Sequence, residues 1–389
     1  MITKPIDQIT EIDLQALVDN AVLERKSLEY KQLLPGNSDA DKKEFLADVS
    51  SLANASGGDL LFGIVSDNSS GLPQKVEGIS LSNVDQEISR LDNSIRDGIE
   101  PRLSGIAIQS ITLTNSKTVI IIRVQKSWNL PHRVTYKGHD KFYSRSTNGK
   151  YPLDVNELRN AFNLSSSIAD KIRNFRMERI AKILSDDTPV PLFSCPKFVL
   201  HIVPVISFNA AQSYDISNMP RNPHKLGPIN TGGWDDRYNI DGFLTYSGVR
   251  EGKYYSYTQL FKNGIIEAVE ASMLESSNKP PMIPSILFER ELINTLEAYL
   301  LLLKELGVQL PAYIFLSVLG VRGYSMATRN WMHQVLTIDR DNLLIPESVI
   351  EQYGVNAKDT LRSCFDSIWN ACGFSNSLNY NENGQWVGH

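Results

Sequence analysis

Glu24, Glu29 and Asp67 are the residues of this 389-residue chain whose types and spacing could do chemistry together. They frame a stretch that runs from Glu24 through Glu29, Tyr30 and Lys31, follows a helical pattern to Asn54 and the Gly57-Gly58 pair, and returns as the apolar run Leu60 to Val65 before Asp67. The order is strand, helix, strand. One acid stands at the entrance to the first strand, one within it and one at the exit of the second, so three carboxylates could meet at one end of a small sheet. A cluster of hard oxygen ligands suits Mg²⁺ or Mn²⁺ rather than zinc. Glu29 and Lys31 are two apart in a strand and leave the same face. Glu24, five residues earlier, can join them only if it precedes the strand.

The elements that must position these residues follow from pattern and punctuation. Residues 13–22 read as a short helix and Arg25 to Leu33 as a strand. After the Pro35-Gly36 turn, Asp39 or Asp41 can cap a helix through Ala55 that buries Phe45, Val49, Leu52 and Ala53. Gly57 and Gly58 supply its left-handed stop. With no Walker spacing and no following helix, they are not read as a phosphate cradle. A strand carries Leu60 to Val65, a helix spans Ser82 to Ile99, and strands cover Ile106–Thr114 and Thr118–Val124. Residues 125–138 read as a loop, and the chain returns as a strand over Lys141–Arg145. This is an α/β domain with a mixed sheet.

Net charge is −5, but the cations are not evenly spread. Between residues 117 and 150 stand Lys117, Arg123, Lys126, Arg133, Lys137, Lys141, Arg145 and Lys150 against Asp140 alone. Trp128, Tyr136, Phe142 and Tyr143 are interleaved with them, a composition suited to phosphate contact and base stacking. Arg123, Lys126, Arg133, Lys137, Lys141 and Arg145 are the expected nucleic-acid ligands, Arg145 foremost. His132 has no Ser or Cys partner in a recognisable motif and reads as a packed or exposed loop residue. His201, in an apolar strand, reads as a core residue.

The blocks Glu24-x4-Glu29-Tyr30-Lys31, Ala53-Asn54 with Gly57-Gly58, Leu60 to Val65 with Asp67, Val119 to Val124, Ser127, Pro131-His132 and Phe142-Tyr143 to Ser146 occur in order. Together they resemble the Schlafen-type, Alba-like domain over roughly residues 10–160. In nuclease-active Schlafens two glutamates with this spacing and a later aspartate bind a divalent metal and cleave tRNA or rRNA. The resemblance places Glu24, Glu29 and Asp67 on those positions, with Mg²⁺ or Mn²⁺ as cofactor. Lys31 would either stabilise a pentacovalent phosphate or neutralise the cluster. The resemblance implies a metal-dependent endoribonuclease acting on tRNA or another structured RNA, with a role in phage defence or stress response. A non-catalytic nucleic-acid-binding or ATP-binding regulator of the same fold is the alternative. Because vertebrate Schlafens carry two such lobes and this chain one, a homodimer could recreate the groove.

At this length two domains are expected. The first is a Schlafen-like mixed-sheet domain over 1–163, followed by a helical connector over 164–196 with its helix at Ser165 to Leu184. A second α/β domain covers 197–389 and serves in dimerisation, in sensing, or as an acidic wall against non-specific RNA. Within it, strands are expected at Phe198–Val203, Phe243–Tyr246, Tyr254–Gln259 and Pro311–Val321. Helices are expected at Gly264–Leu274, Pro284–Leu306, 346–353 and 358–371. The segment 218–239 reads as a loop, in which Trp234 to Arg237 either meets a partner or anchors the loop. Cys195, Cys364 and Cys372 form no Cys-x-x-Cys pair, which fits a reducing compartment. With no signal-like apolar run at the start and no bilayer-length apolar helix, cytoplasmic placement is expected.

Overall fold

The computed structural model describes residues 2, 4–67, 69–103, 105–147, 149–208, 212–219, 223–275, 281–328 and 336–388. The chain divides into two units, Met1–Ile168 and Ala169–His389. Both mix helices with sheet.

The first unit opens with α1 (Glu11–Asp19), whose Leu14 is fully buried. Strand β1 (Leu28–Lys31) follows, then α2 (Asp39–Asn54). Ser38 caps α2, accepting the Asp41 backbone N–H at 3.1 Å, so the cap lies just before the two aspartates expected to supply it. Phe45, Leu46, Val49, Leu52 and Ala53 recur at helical spacing and form its buried stripe. Strand β2 (Gly58–Phe62) pairs in parallel with β1, with Glu29 opposite Leu60 and Lys31 opposite Phe62.

The strand expected to run on to Val65 breaks at Gly63, which has φ +102°. Its N–H bonds the Lys31 carbonyl at 2.7 Å, while its own carbonyl accepts from Glu77 and Gly78. The chain therefore leaves the main sheet. Strand β3 (Ile64–Ser66) pairs instead with β4 (Pro73–Val76), in a ribbon that carries Asp67 at its turn.

Helix α3 (Val84–Gly98) leads into β5 (Ile99–Glu100), β6 (Ile106–Thr112) and β7 (Thr118–Val124). The main sheet has the order β1-β2-β7-β6, parallel at its first pair and antiparallel beyond, hence mixed. Alternation divides the core. Leu60, Phe62, Ile120 and Ile122 pack against α2 and α3, and Leu28, Tyr30, Leu61 and Ile121 form the opposite cluster with Leu14. Each such side chain contributes about 1.5–3 kcal/mol on burial.

The region read as a loop over 125–138 contains β8 (Arg133–Tyr136), which pairs with β9 (His139–Ser146); β10 (Gly149–Pro152) follows. These form a second sheet of order β10-β9-β8-β5. A hairpin with Lys137-Gly138 at its turn carries too few apolar residues for its alternation to stand out. Helix α4 (Val155–Leu184) starts ten residues before the expected Ser165 and crosses the boundary between the units.

The second unit is built on β11 (Lys197–Pro204), β12 (Asp235–Tyr238), β13 (Gly242–Arg250), β14 (Lys253–Phe261) and β15 (Ile266–Glu270). Short β16 (Met282–Ile283), α5 (Ser285–Glu305), β17 (Ala312–Leu319), short β18 (Ser325–Met326), β19 (Asn342–Leu344), β20 (Ser348–Ile350) and α6 (Ala357–Ala371) complete it. The sheet runs β12-β13-β14-β15-β11-β17-β19, with β20 also on β17, and β16 pairs with β18 apart from it.

Two expected helices are strands. Residues 264–274 hold the buried central strand β15, whose Glu267 and Glu270 imitate helical spacing yet face the interior. Residues 346–353 hold β20. Part of the expected loop 218–239 is the edge strand β12; residues 220–222 lie outside the described residues. Trp234 packs against Gly227, and Arg237 donates to the Pro189 carbonyl at 2.9 Å, so this stretch anchors its loop.

Candidate nucleic-acid site

Because β1 is an edge strand and Glu29 and Lys31 share the face toward α2, both point at the helix side that carries Asp48. Lys31 Nζ lies 2.7 Å from Glu29 and 3.4 Å from Asp48. Lys150 on β10 lies 2.6 Å from the other oxygen of Asp48 and also pairs with Glu44. Arg145, on β9, closes the cluster by pairing with the second oxygen of Glu29. Cations and carboxylates thus alternate, in the order Arg145, Glu29, Lys31, Asp48, Lys150 and Glu44, across one strand of the main sheet, one helix and two strands of the second sheet. Asp48 is only 3% exposed at its side chain.

The charges are tuned apart. Burial alone would raise the Glu29 carboxyl, but Arg145 and Lys31 outweigh it and hold the group below its ordinary value. For Asp48, burial and the neighbouring Glu29 charge win over Lys150 and Lys31 and push it up. Lys31 is raised: burial opposes its charge, but Asp48 and Glu29 prevail.

Glu24 sits outside the edge of β1, where its carboxylate accepts the otherwise unpaired Tyr30 N–H at 2.9 Å. Burial and the Glu29 charge raise its carboxyl despite that hydrogen bond. Its backbone N–H bonds the Gly71 carbonyl at 2.9 Å, so the β3–β4 turn is tied beside it. Asp67 belongs to that turn but its carboxylate bends back. One oxygen accepts Ser69 N–H at 3.0 Å and Ser70 N–H at 2.8 Å together with both serine hydroxyls, which hold the carboxyl down at about 2.

The donor set does not match the hard-cation site expected from Glu24, Glu29 and Asp67. Both Glu29 oxygens are taken by cations and Asp67 is engaged by its serines. Among the described residues no group of three or more His, Cys, Asp or Glu could hold a metal ion. Glu29, Lys31 and Arg145 are brought together, Glu24 stands beside them, and Asp67 does not join.

The remaining expected cations are scattered. Arg123 is committed to Asp59 at 2.7 Å and to the Lys4 and Ile2 carbonyls at 2.8 and 2.9 Å, which makes it a tether for the amino-terminal segment rather than a nucleic-acid ligand. Arg133 pairs with Glu100 at 2.7 Å and Lys137 with Asp39 at 2.8 Å. Lys126 lies 4.4 Å over the Trp128 ring, and Lys141 is exposed.

His132 has the serine partner that its sequence neighbourhood did not reveal. It is 1% exposed, with Nδ1 at 2.6 Å from the Pro101 carbonyl and Nε2 at 2.6 Å from Ser127 Oγ. A carbonyl only accepts, so Nδ1 carries the proton of the neutral ring and Nε2 accepts from the serine. Burial lowers the imidazole's proton affinity against the help of Pro101. Asn54, at the end of α2, clamps the same place. Its amide donates to the His132 and Tyr143 carbonyls, each at 2.8 Å, and accepts the His132 N–H at 2.7 Å. These bonds dock the second sheet on α2. His201 is a core residue whose Nε2 donates to Glu267 at 2.9 Å.

Asp48, Lys150 and Glu44 are the members of the cluster that sequence reasoning did not assign to the site. The available signal was Asp48 itself: an acid at i+3 from Phe45 and i+4 from Glu44, next to Val49, inside the helix's apolar stripe.

A mixed α/β domain with a buried charge cluster at the meeting of two sheets is the class that fold and site define. Residues 24–154 match the family model described as Schlafen, AlbA_2, so the first unit carries a Schlafen-type, Alba-like domain, which connects it to nucleic-acid-related function. No curated protein matches the chain. Among solved structures, the DIP2311 protein from Corynebacterium diphtheriae aligns at 17% identity over 36% of this chain and 26% of its own, with a TM-score of 0.25. The aligned part spans about a quarter of that protein, and a likeness of this size carries no argument. Among the described residues no helix is long and apolar enough to cross a membrane.

Proposed function

We propose that the first unit binds structured RNA, tRNA among its candidates, and cleaves a phosphodiester at the cluster around Glu29. The observation that carries this is Arg145. It is buried beside Glu29, yet among the described residues its Nε and Nη1 have no hydrogen-bond partner. Donors left over on a buried guanidinium are costly, and phosphate oxygens would satisfy them. Lys31, next along the cluster, adds a second cation toward the charge that develops on the phosphoryl oxygens. Glu24, raised above its ordinary value and with one oxygen outside the Tyr30 hydrogen bond, is suited to take the proton of the attacking 2′-hydroxyl as the new P–O bond forms, the departing 5′-oxygen taking a proton from water as the P–O5′ bond breaks.

The test is incubation of the protein with total tRNA in Mg²⁺, Mn²⁺ or EDTA, comparing wild type with Glu24→Ala, Glu29→Ala, Lys31→Ala and Asp67→Ala. Discrete fragments that fall by about a hundredfold or more in the first three variants are expected. The dependence on Mg²⁺ or Mn²⁺ expected from the sequence, which the donor set as it stands does not fit, is tested in the same tubes. Loss on chelation together with loss in Asp67→Ala would mean that Asp67 leaves its serine turn to join the two glutamates. RNA that is bound but never cut under any condition would sink the nuclease. The saturated pairing of Glu29 and Asp48 favours a second reading, a binding protein without hydrolysis, and that outcome would establish it.

A further inference from the structure

We infer that the outer face of the β8–β9 hairpin is a docking groove for an unpaired stretch of nucleic acid, separate from the Glu29 cluster. This rests on the proposed nucleic-acid function and adds to it a second place of contact. Arg133 lies directly opposite Phe142 in the β8–β9 register, so the two side chains leave the same face. Arg145 is three residues beyond Phe142 on the same strand and leaves the other face, toward Glu29. The sheet therefore carries two cationic faces, and the charge cluster uses only one of them.

The outer face borders a cavity of about 880 Å³ in which Arg96, Arg102, Arg133, Glu100, Phe142 and Phe162 converge. Its size falls in the range of sites that hold small organic ligands, roughly 300–1,000 Å³. Phe162, from α4, is 56% exposed, an unusual state for phenylalanine. It meets Phe142 edge-on, with centroids 6.4 Å apart and planes at 74°, so the contact leaves ring faces open.

Arg102 is exposed and, among the described residues, has no ion pair or hydrogen bond. Arg96 is paired with Asp97 at 3.2 Å, and Arg133 with Glu100 at 2.7 Å and Asp140 at 3.6 Å, all at the surface, where water screens the attraction and a phosphate can compete. The groove thus presents one uncommitted guanidinium and two held only by surface ion pairs, beside aromatic faces. A duplex offers phosphates and riboses but keeps its base faces stacked; only an unpaired segment offers bases to Phe162 and phosphates to the arginines at once.

The experiment uses the full chain in EDTA, titrated into fluorescein-labelled single-stranded oligonucleotides and into a hairpin duplex of equal charge, with anisotropy as the readout. Phe162→Ala and Arg102→Ala are each expected to weaken single-strand binding about tenfold. Phe162→Trp should restore it, Arg102→Ala should reduce the salt slope by about one, and duplex binding should change little. Both residues lie at the surface, and an unchanged unfolding midpoint checks that the variants fold. Ultraviolet crosslinking of the oligonucleotide to Phe162 or Phe142, mapped by mass spectrometry, would support the groove. Wild-type single-strand affinity in both variants would overturn it while leaving the proposed cluster function standing. A change in oligomeric state on Phe162→Ala without a change in affinity would overturn it too, in favour of a contact between copies. A wild-type protein that binds no nucleic acid would remove both.

Discussion

Asp48 holds two lysines from inside α2, and its position sets what each neighbouring charge can do. Lys31 bridges it to Glu29, and Lys150 approaches from the other side at 2.6 Å. Removing one member of a buried ion network costs more than the network contributes, because the partners keep their desolvation penalty. Asp48→Ala is expected to destabilise the first unit by about 3 kcal/mol, measured as a lower denaturant midpoint at constant slope. An unchanged midpoint would mean that water already solvates both lysines. The two buried carboxyls are also pushed in opposite directions, Asp48 upward and Glu29 downward. As pH falls, Asp48 should take up a proton before Glu29, and carboxyl-carbon NMR titration of the pair would show the order.

At the scale of elements, Gly63 decides where Asp67 goes. Its positive φ turns the chain out of the main sheet at the end of β2 and starts the β3–β4 ribbon. A side chain there would be strained by the backbone and crowded as well, since a Cβ would come 3.1 Å from Gly78 Cα and 3.2 Å from Val119 Cγ2. Gly63→Ala should cost about 2 kcal/mol, read by equilibrium unfolding. Asn54 does the corresponding work at the far end of α2, joining the helix to β9 and to His132 just before β8 through three hydrogen bonds. It is through that docking that Arg145 reaches Glu29, which lies 116 residues away in sequence.

At the scale of the molecule, the second unit carries its own buried charge. Glu267, on the central strand β15, is fully buried and accepts from Arg179 at 2.8 and 2.7 Å, Tyr257 at 2.8 Å and His201 at 2.9 Å. Burial would raise its carboxyl, but Arg179 and His201 bring it from the ordinary 4.5 down to about 2. A depressed carboxyl adds stability that is present in full above the unfolded value and is lost as pH falls through the folded one. The second unit should therefore lose about 3 kcal/mol between pH 4.5 and 2, visible as a falling midpoint in acid-dependent unfolding. Glu267→Gln should remove most of that dependence and cost about 4 kcal/mol at neutral pH, because Arg179 stays buried without its counter-charge.

Much of this was legible in the chain itself. The apolar stripe of α2, the stop at Gly57, the continuous run of β7 and the two-residue spacing of Glu29 and Lys31 follow from local periodicity, which one segment carries alone. That periodicity pointed to a mixed α/β amino-terminal domain, and the blocks around it, by their resemblance to Schlafen-type domains, grouped Glu24, Glu29 and Asp67 with Lys31 and singled out Arg145 as a phosphate ligand. Only the tertiary structure decided that Glu29 is shared between Lys31 and Arg145, that Asp48 and Lys150 extend the cluster, and that Asp67 turns to its own serines. It also turned residues 264–274 from helix into buried strand and spent Arg123 on the amino terminus. Each of these depends on partners brought together by packing from distant segments, and a carboxylate's or guanidinium's role is set by which counter-charge reaches it at hydrogen-bond distance.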